Sequence, residues 1–256
     1  MKTRALIKRL SKNFPKSIAK KYHDYVGTMV GPLPDEVHTI ALVLDLDLEV
    51  LPAVLNVNPD LIMTHHPFFY GNKKKILEHD EQKREIVRIL KEHHIAVISM
   101  HTNFDEGKEG MNDALANALS LQNIYAPENC PIMRIGTLPT SMPAKEYARF
   151  AKEMLHVDYA LLVGNEDVIV KKVGIVGGGG SREYPYAIEE GCDIYISGDA
   201  PHYVRRDITL RPFTYLDVPH EVENIFVDQM KRILLSLDPS FEIASIRHEK
   251  MPTVIL

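Results

Sequence analysis

Apolar and polar positions follow two different periods along the chain. Ala5, Leu6 and Leu10, then Ile18 and Ala19, recur at helical spacing and predict an opening helix, interrupted near Pro15 and finished before "HDYVGTMVG". The stretch "HTIALVLDLDLEVLPAVL" predicts a strand through Ile40 to Leu44 and then a helix for which Asp47 is the capping candidate. "LIMT" reads as a short buried strand, "QKREIVRILKEHH" as an amphipathic helix, "IAVISM" as a second buried strand and "MNDALANALSL" as another helix. Strand and helix alternate, which is the signature of an α/β fold built on a mostly parallel sheet.

The prolines of "YAPENCPIMRIGTLP" mark a boundary, after which the alternation resumes. "PAKEYARFAKEML" is helical, "YALLVG" and "VKKVGIVGG" are strands, "PYAIEEG" is a short helix and "CDIYISGD" is a strand. From Asp217 a long helix is expected through "PHEVENIFVDQMKRILLSL", with Val222, Ile225, Phe226, Met230, Ile233 and Leu234 on its apolar face, and "PTVIL" is expected to add a closing strand. There is no short-period repeat and no low-complexity segment.

Composition narrows the picture. A chain of 256 residues has room for one large or two small domains with real cores, and 45% hydrophobic with 25% charged residues excludes a disordered chain. Cys130 and Cys192 are too few for a disulfide framework and are expected to be inert residues of a reducing compartment. No apolar run approaches the roughly 20 residues that cross a bilayer, and the start lacks a signal-peptide core, so a cytoplasmic protein is expected. The formal net charge is −5, yet Lys2, Arg4, Lys8, Arg9, Lys12, Lys16, Lys20 and Lys21 crowd the first 23 residues without an acidic partner. That run is a solvated helix face, a nucleic-acid stripe or a transit-like helix.

Functional loops of open α/β sheets leave the carboxyl ends of strands, and three polar clusters occupy such places. His65 and His66 follow "LIMT"; in extended backbone adjacent side chains point apart, which suits two different ions better than one, or they are hydrogen-bonded loop histidines. His93 and His94 close an amphipathic helix and complement its dipole. "SMHTNFDEGKEGMNDAL" supplies His101, Asp105 and Asn112 before a helix, with His101 and Asp105 as ligands or as braces of the loop. "DVPHEVE" places His220 and Glu223 three apart in a first helical turn, behind Pro219. Together the clusters hold the histidines and carboxylates of a dinuclear divalent site with nitrogen and oxygen ligands, an arrangement that activates water at neutral pH. If Glu223 bridges, one ion takes His65, Asp105 and Glu223 and the other His66, His220 and Glu223. "VGIVGGGGSREY" matches neither a dinucleotide fingerprint nor a P-loop, leaving a phosphate cradle or a flexible turn. In "SGDAPHYV", Asp199 and His202 are a proton-transfer pair, a substrate contact or a plain turn, and Asp45 and Asp47 are assigned cap and loop work.

"HDYVGTMVG", "DLIMTHHPFFYG", "SMHTNFDEGKEGMNDALANAL", "YISGDAPHYV" and "DVPHEVE", in this order, resemble the Nif-three-like family, whose bacterial members are named GTP cyclohydrolase I type 2 homologues. The resemblance spans nearly the whole chain. It implies two similar three-layer α/β lobes with mixed, mostly parallel sheets, an interlobe dinuclear metal cleft and a ring-shaped homohexamer. On this chain the lobes would be residues 1–126 with 217–256, and 127–216, without the third domain that some members insert. The implied metal ligands are His65, His66, Asp105, His220 and Glu223, with His101 and His202 lining the cleft. Some members space the last histidine and glutamate by four, where this chain has Asn224; Glu223 is taken as the ligand and Glu221 as its alternative. Pro219 replaces the glycine common before that histidine.

The expected activity is a metal-dependent hydrolase with two divalent ions per chain (Zn, Fe or Mn). Its substrate would be a nucleotide or related phospho-compound, attacked at carbon or phosphorus, while His101 or His202 moves a proton. Two alternatives from other classes are a metal-binding interaction or regulatory protein without turnover, and a ring-shaped nucleic-acid binder using the basic first helix.

Overall fold

A computed structural model describes residues 1–255, and the chain divides into two units. The first comprises Met1–Gly110 and Phe226–Glu249, the second Met111–Ile225 and the chain from Lys250. In the first unit, Pro15 splits the opening helix into α1 (Thr3–Asn13) and α2 (Lys16–Lys21), because proline has no amide hydrogen to continue the ladder. Then come β1 (Gly27–Val30), β2 (Thr39–Val43), α3 (Leu51–Val57), β3 (Leu61–Thr64), α4 (Lys73–His79), α5 (Glu81–Glu92), β4 (Ala96–Ser99) and the single turn α6 (Thr102–Glu106). Asp47 accepts from the amides of Glu49 and Val50, capping the turn that leads into α3. Asp80 caps α5 through the Lys83 amide.

The second unit holds α7 (Met111–Ala118), β5 (Gln122–Tyr125), β6 (Arg134–Pro143), α8 (Ala144–Met154), β7 (Leu161–Gly164), β8 (Ile169–Ile175), α9 (Tyr184–Glu189), β9 (Ile194–Gly198), α10 (His202–Thr209) and β10 (Thr214–Val218). The chain then returns to the first unit through α11 (Ile225–Leu237), nearly all of which lies there, and β11 (Glu242–Ser245).

Both sheets are mixed, with parallel pairings at their centres. The first runs β1-β4-β3-β2-β11, all parallel except β1. The second runs β5-β6-β8-β9-β10-β7, with β8, β9 and β10 parallel. Three expectations are corrected. The proline-rich stretch marks no boundary of the second sheet, since β5 ends on its first residue and β6 begins inside it; Pro139 falls where the β6–β8 register shifts, the place a sheet tolerates a residue with no amide to donate. Asp217 lies within β10, and the helix predicted from it begins only at Ile225, after a 3₁₀ turn at His220–Asn224. Residues 252–255 form no strand; the last strand is β11, whose partly buried, polar-flanked residues carry a weak pattern, and Leu256 lies outside the described residues.

The four strands β2, β3, β4 and β11 align their carboxyl ends at one edge of the first sheet, where Phe226 of α11 packs. Phe226 is fully buried, its ring 5.2 Å from Phe104 and 5.4 Å from His65. Phe226→Ala should therefore cost about 3–5 kcal/mol, read as a lower denaturation midpoint at unchanged slope. In the second unit Cys192 is buried, and burial, opposed by Lys172, pushes its thiol up to about 12. A thiolate fraction of roughly one in ten thousand at pH 8 predicts that iodoacetamide leaves Cys192 unmodified in the native protein and alkylates it once the chain is unfolded.

Candidate metal centre

The edge of the first sheet is set by the ladder itself. His65 and His66 donate their backbone amides to the carbonyls of Val43 and Leu44, and Met100 donates to Thr64, so the chain leaves β3 and β4 side by side. Thr64 Oγ1 donates to the His66 carbonyl at 2.7 Å, and Ser99 Oγ, 2.7 Å from the Thr64 hydroxyl, accepts from the Phe68 amide. These bonds turn the backbone immediately after β3. The expectation that the neighbouring imidazoles point apart is corrected here: their ring centroids are 5.1 Å apart, because both residues lie in a bend where strand alternation has ended.

His101 follows β4, with its ring 5.1 Å from that of His65 and 5.7 Å from that of His66. The three side chains offer nitrogen atoms all within 4.8 Å of one another, a spacing that accommodates a metal ion. Each ring is oriented from behind. Nδ1 of His65 donates to the Met100 carbonyl at 2.9 Å, Nδ1 of His66 to Asp45 Oδ2 at 2.9 Å and Nδ1 of His101 to Asp24 Oδ2 at 2.8 Å. A carbonyl or an ionised carboxylate only accepts, so the proton sits on Nδ1 and the lone pair on Nε2. This is the tautomer and the backing that metal-ligating histidines use. Burial alone would raise the Asp24 carboxyl, but the hydrogen bonds from the His101 ring and the Thr102 hydroxyl hold it at about 2. Asp105, in α6, brings Oδ1 to 3.5 Å from His65 Nε2, and both residues are buried. Asn103 braces this turn, accepting from the His101 amide and donating to the Phe14 carbonyl.

The second unit carries its own group. Pro219 caps the 3₁₀ turn, and in 3₁₀ geometry residues three apart eclipse one another. His220 Nε2 thus lies 3.0 Å from Glu223 Oε2, while Nδ1 donates to Asp199 Oδ2 at 2.6 Å. The Glu223 hydrogen bond, opposed by burial and seconded by Asp199, pushes this imidazole up to about 9. Asp199 holds a positive φ of 55°, a conformation that non-glycine residues rarely adopt. His202 is exposed at the start of α10, and the aspartate expected to pair with it is bonded to His220 instead.

The glycine run after β8 is tied to the neighbouring strand end by hydrogen bonds. Gly178 has φ 57°, and its carbonyl accepts from Ser197 Oγ and from the amides of Gly180 and Gly198. A side chain at Gly178 would collide with the Glu223 carboxylate, so the backbone forms one wall of that carboxylate's seat. Asn112 is fully buried; it accepts from the Gly177 amide and donates to the Ile132 carbonyl, so it braces this loop. Asp24 and Asp45 are the site residues that the sequence reading missed. The pairing of His66 with Asp45 and of His101 with Asp24 is visible only once the strands are aligned. As a donor set, oriented imidazoles beside carboxylates fit a divalent ion of the zinc, iron or manganese kind.

A GTP cyclohydrolase 1 type 2 homolog of Clostridium acetobutylicum is 29% identical over 208 residues, 78% of this chain and 77% of the relative. One from Methanocaldococcus jannaschii is 27% identical over 248 residues, 96% and 99% of the two chains. Among solved structures, Staphylococcus aureus protein SA1388 superposes with a TM-score of 0.88 at 21% identity, covering 100% of this chain and 99% of that one. Reduced HcgD from Methanocaldococcus jannaschii does so with 0.79 at 27% identity, covering 95% and 97%. The family model described as Duf34/NIF3 (NGG1p interacting factor 3) matches residues 1–252, and the chain belongs to that family.

Proposed function

We infer that the protein is a metal-dependent hydrolase in which His65, His66, Asp105, His220 and Glu223 hold two divalent ions. The substrate class is a nucleotide or related phospho-compound, in keeping with the name of its GTP cyclohydrolase relatives. The observation that carries this reading is the backing of three imidazoles: His65, His66 and His101 each give Nδ1–H to an oxygen acceptor and so turn Nε2 toward a ligand. When bound, such ions polarise the electrophile and lower the pKa of water. The chain's own residues do the rest. Asp24 fixes the His101 ring so that Nε2 is positioned to take up or release a proton, and the exposed His202 serves as the second proton carrier. Glu223, seated against Gly178, would hold an ion with its carboxylate. A homohexameric cytoplasmic protein completes the reading; among the described residues no helix is long and apolar enough to cross a membrane.

Elemental analysis of protein purified without chelator should find about two ions per chain, with fewer in His66→Ala. Metal-dependent turnover on a nucleotide and phosphoester panel should disappear in His65→Ala. Two ions without turnover on any member of the panel would leave a metal-binding interaction protein, and little or no metal after reconstitution would overturn the site. Glu223→Gln should release at least one ion, and retention of both at unchanged affinity would remove Glu223 from the ligand set. Gly178→Ala should have the same effect with the carboxylate intact, because the added methyl displaces Glu223 from its seat.

A further inference from the structure

The Asp45 carboxylate that orients His66 is half exposed and sits on a short turn beyond β2, an unpromising support for a ligand-orienting group. The structure supplies that support from the far end of the chain. β11 pairs in parallel with β2, and the pairing continues through the Ile246 amide, which donates to the Leu42 carbonyl at 3.0 Å. The next three residues therefore cross the carboxyl end of β2, over the turn that holds Asp45 and Asp47. The Asp45 amide donates to Glu249 Oε1 at 3.3 Å, and His248 Nε2 lies 3.1 Å from Asp47 Oδ2. His248 Nδ1 and Glu249 Oε1 are 3.0 Å apart, and the side chains of both are largely buried. Arg247 closes the outer side through its ion pair with Asp228 of α11.

We propose that Arg247–Glu249 is a positioning strap: by gripping Asp45 and Asp47 it holds the Asp45 carboxylate on His66 Nδ1 and so presents His66 Nε2 for metal binding. Without the Glu249 acceptor, the Asp45 turn loses its outer bond, the carboxylate swings toward water and His66 is released to the other tautomer. Asp47 remains held by its caps to Glu49 and Val50, so the loss is local to Asp45. The functional consequence rests on the metal reading of His66; the tautomer consequence does not.

The test uses the full-length protein and two readouts. In the metal-free protein, long-range proton–nitrogen NMR of the imidazoles should show His66 protonated at Nδ1. Glu249→Ala should shift it toward protonation at Nε2, and Glu249→Gln, which keeps the acceptor oxygen, should restore it. In cobalt(II) titrations followed by the visible spectrum, Glu249→Ala should weaken binding about 10-fold, the low end for residues standing behind a ligand, while Glu249→Gln behaves as wild type. If Glu249→Ala does not fold, His248→Gln replaces it, with the same shift expected in smaller measure. An unchanged His66 tautomer in a folded Glu249→Ala protein overturns the strap. A tautomer that responds in a protein that binds no cobalt supports the strap and overturns the metal reading instead.

Discussion

The candidate site depends on one small interaction, repeated: an imidazole whose Nδ1–H is given to an oxygen. For His65 the oxygen is a backbone carbonyl, and for His66, His101 and His220 it is a carboxylate. Without that bond the ring is a rotor with two interchangeable nitrogens; with it, one nitrogen is committed and the other faces a defined direction. The surroundings serve that commitment. Asp24 is buried and still ionised because His101 and Thr102 repay its desolvation. The bend after Thr64 aligns two consecutive rings that a strand would have separated.

Parallel pairing is what brings the acceptors within reach. Parallel strands deliver all their carboxyl ends to one edge, so Asp45, His66 and His101 meet although each belongs to a different stretch of the chain. The second unit uses the same rule on a smaller scale. β8, β9 and β10 run parallel, and their ends carry the glycine loop, Asp199 and His220 respectively. There the loop's backbone does what side chains do in the first unit, since Gly178 presents only a bare peptide to Glu223.

The alternation of helix and strand was legible in the sequence because buried parallel strands such as "LIMT" and "IAVISM" are continuous apolar runs between turn residues. β1 and β11 were not, since edge strands need only a partial apolar face and neither shows a clean period. His65, His66, His101, Asp105, His220 and Glu223 stood out as polar residues at strand ends, a local signal. Asp24 and Asp45 gave none, for an aspartate after a strand or before a turn reads as a cap, and only the register of neighbouring strands reveals which ring it faces. The 3₁₀ turn was hidden for a related reason: spacing by three suits a helix of either kind, and the local sequence does not distinguish them.

The route of the chain bears on how the protein is made. A ribosome synthesises Met1–Gly110 first, then all of the second unit, and only afterwards Phe226–Glu249. Until those last segments emerge, Phe104 and His65 lack the ring that covers them and β2 has an unpaired edge. The nascent first unit is therefore an incomplete body that must wait through the synthesis of its neighbour. A chain that stops before Phe226 carries His65, His66 and His101 without the ring and the strand that close the core around them.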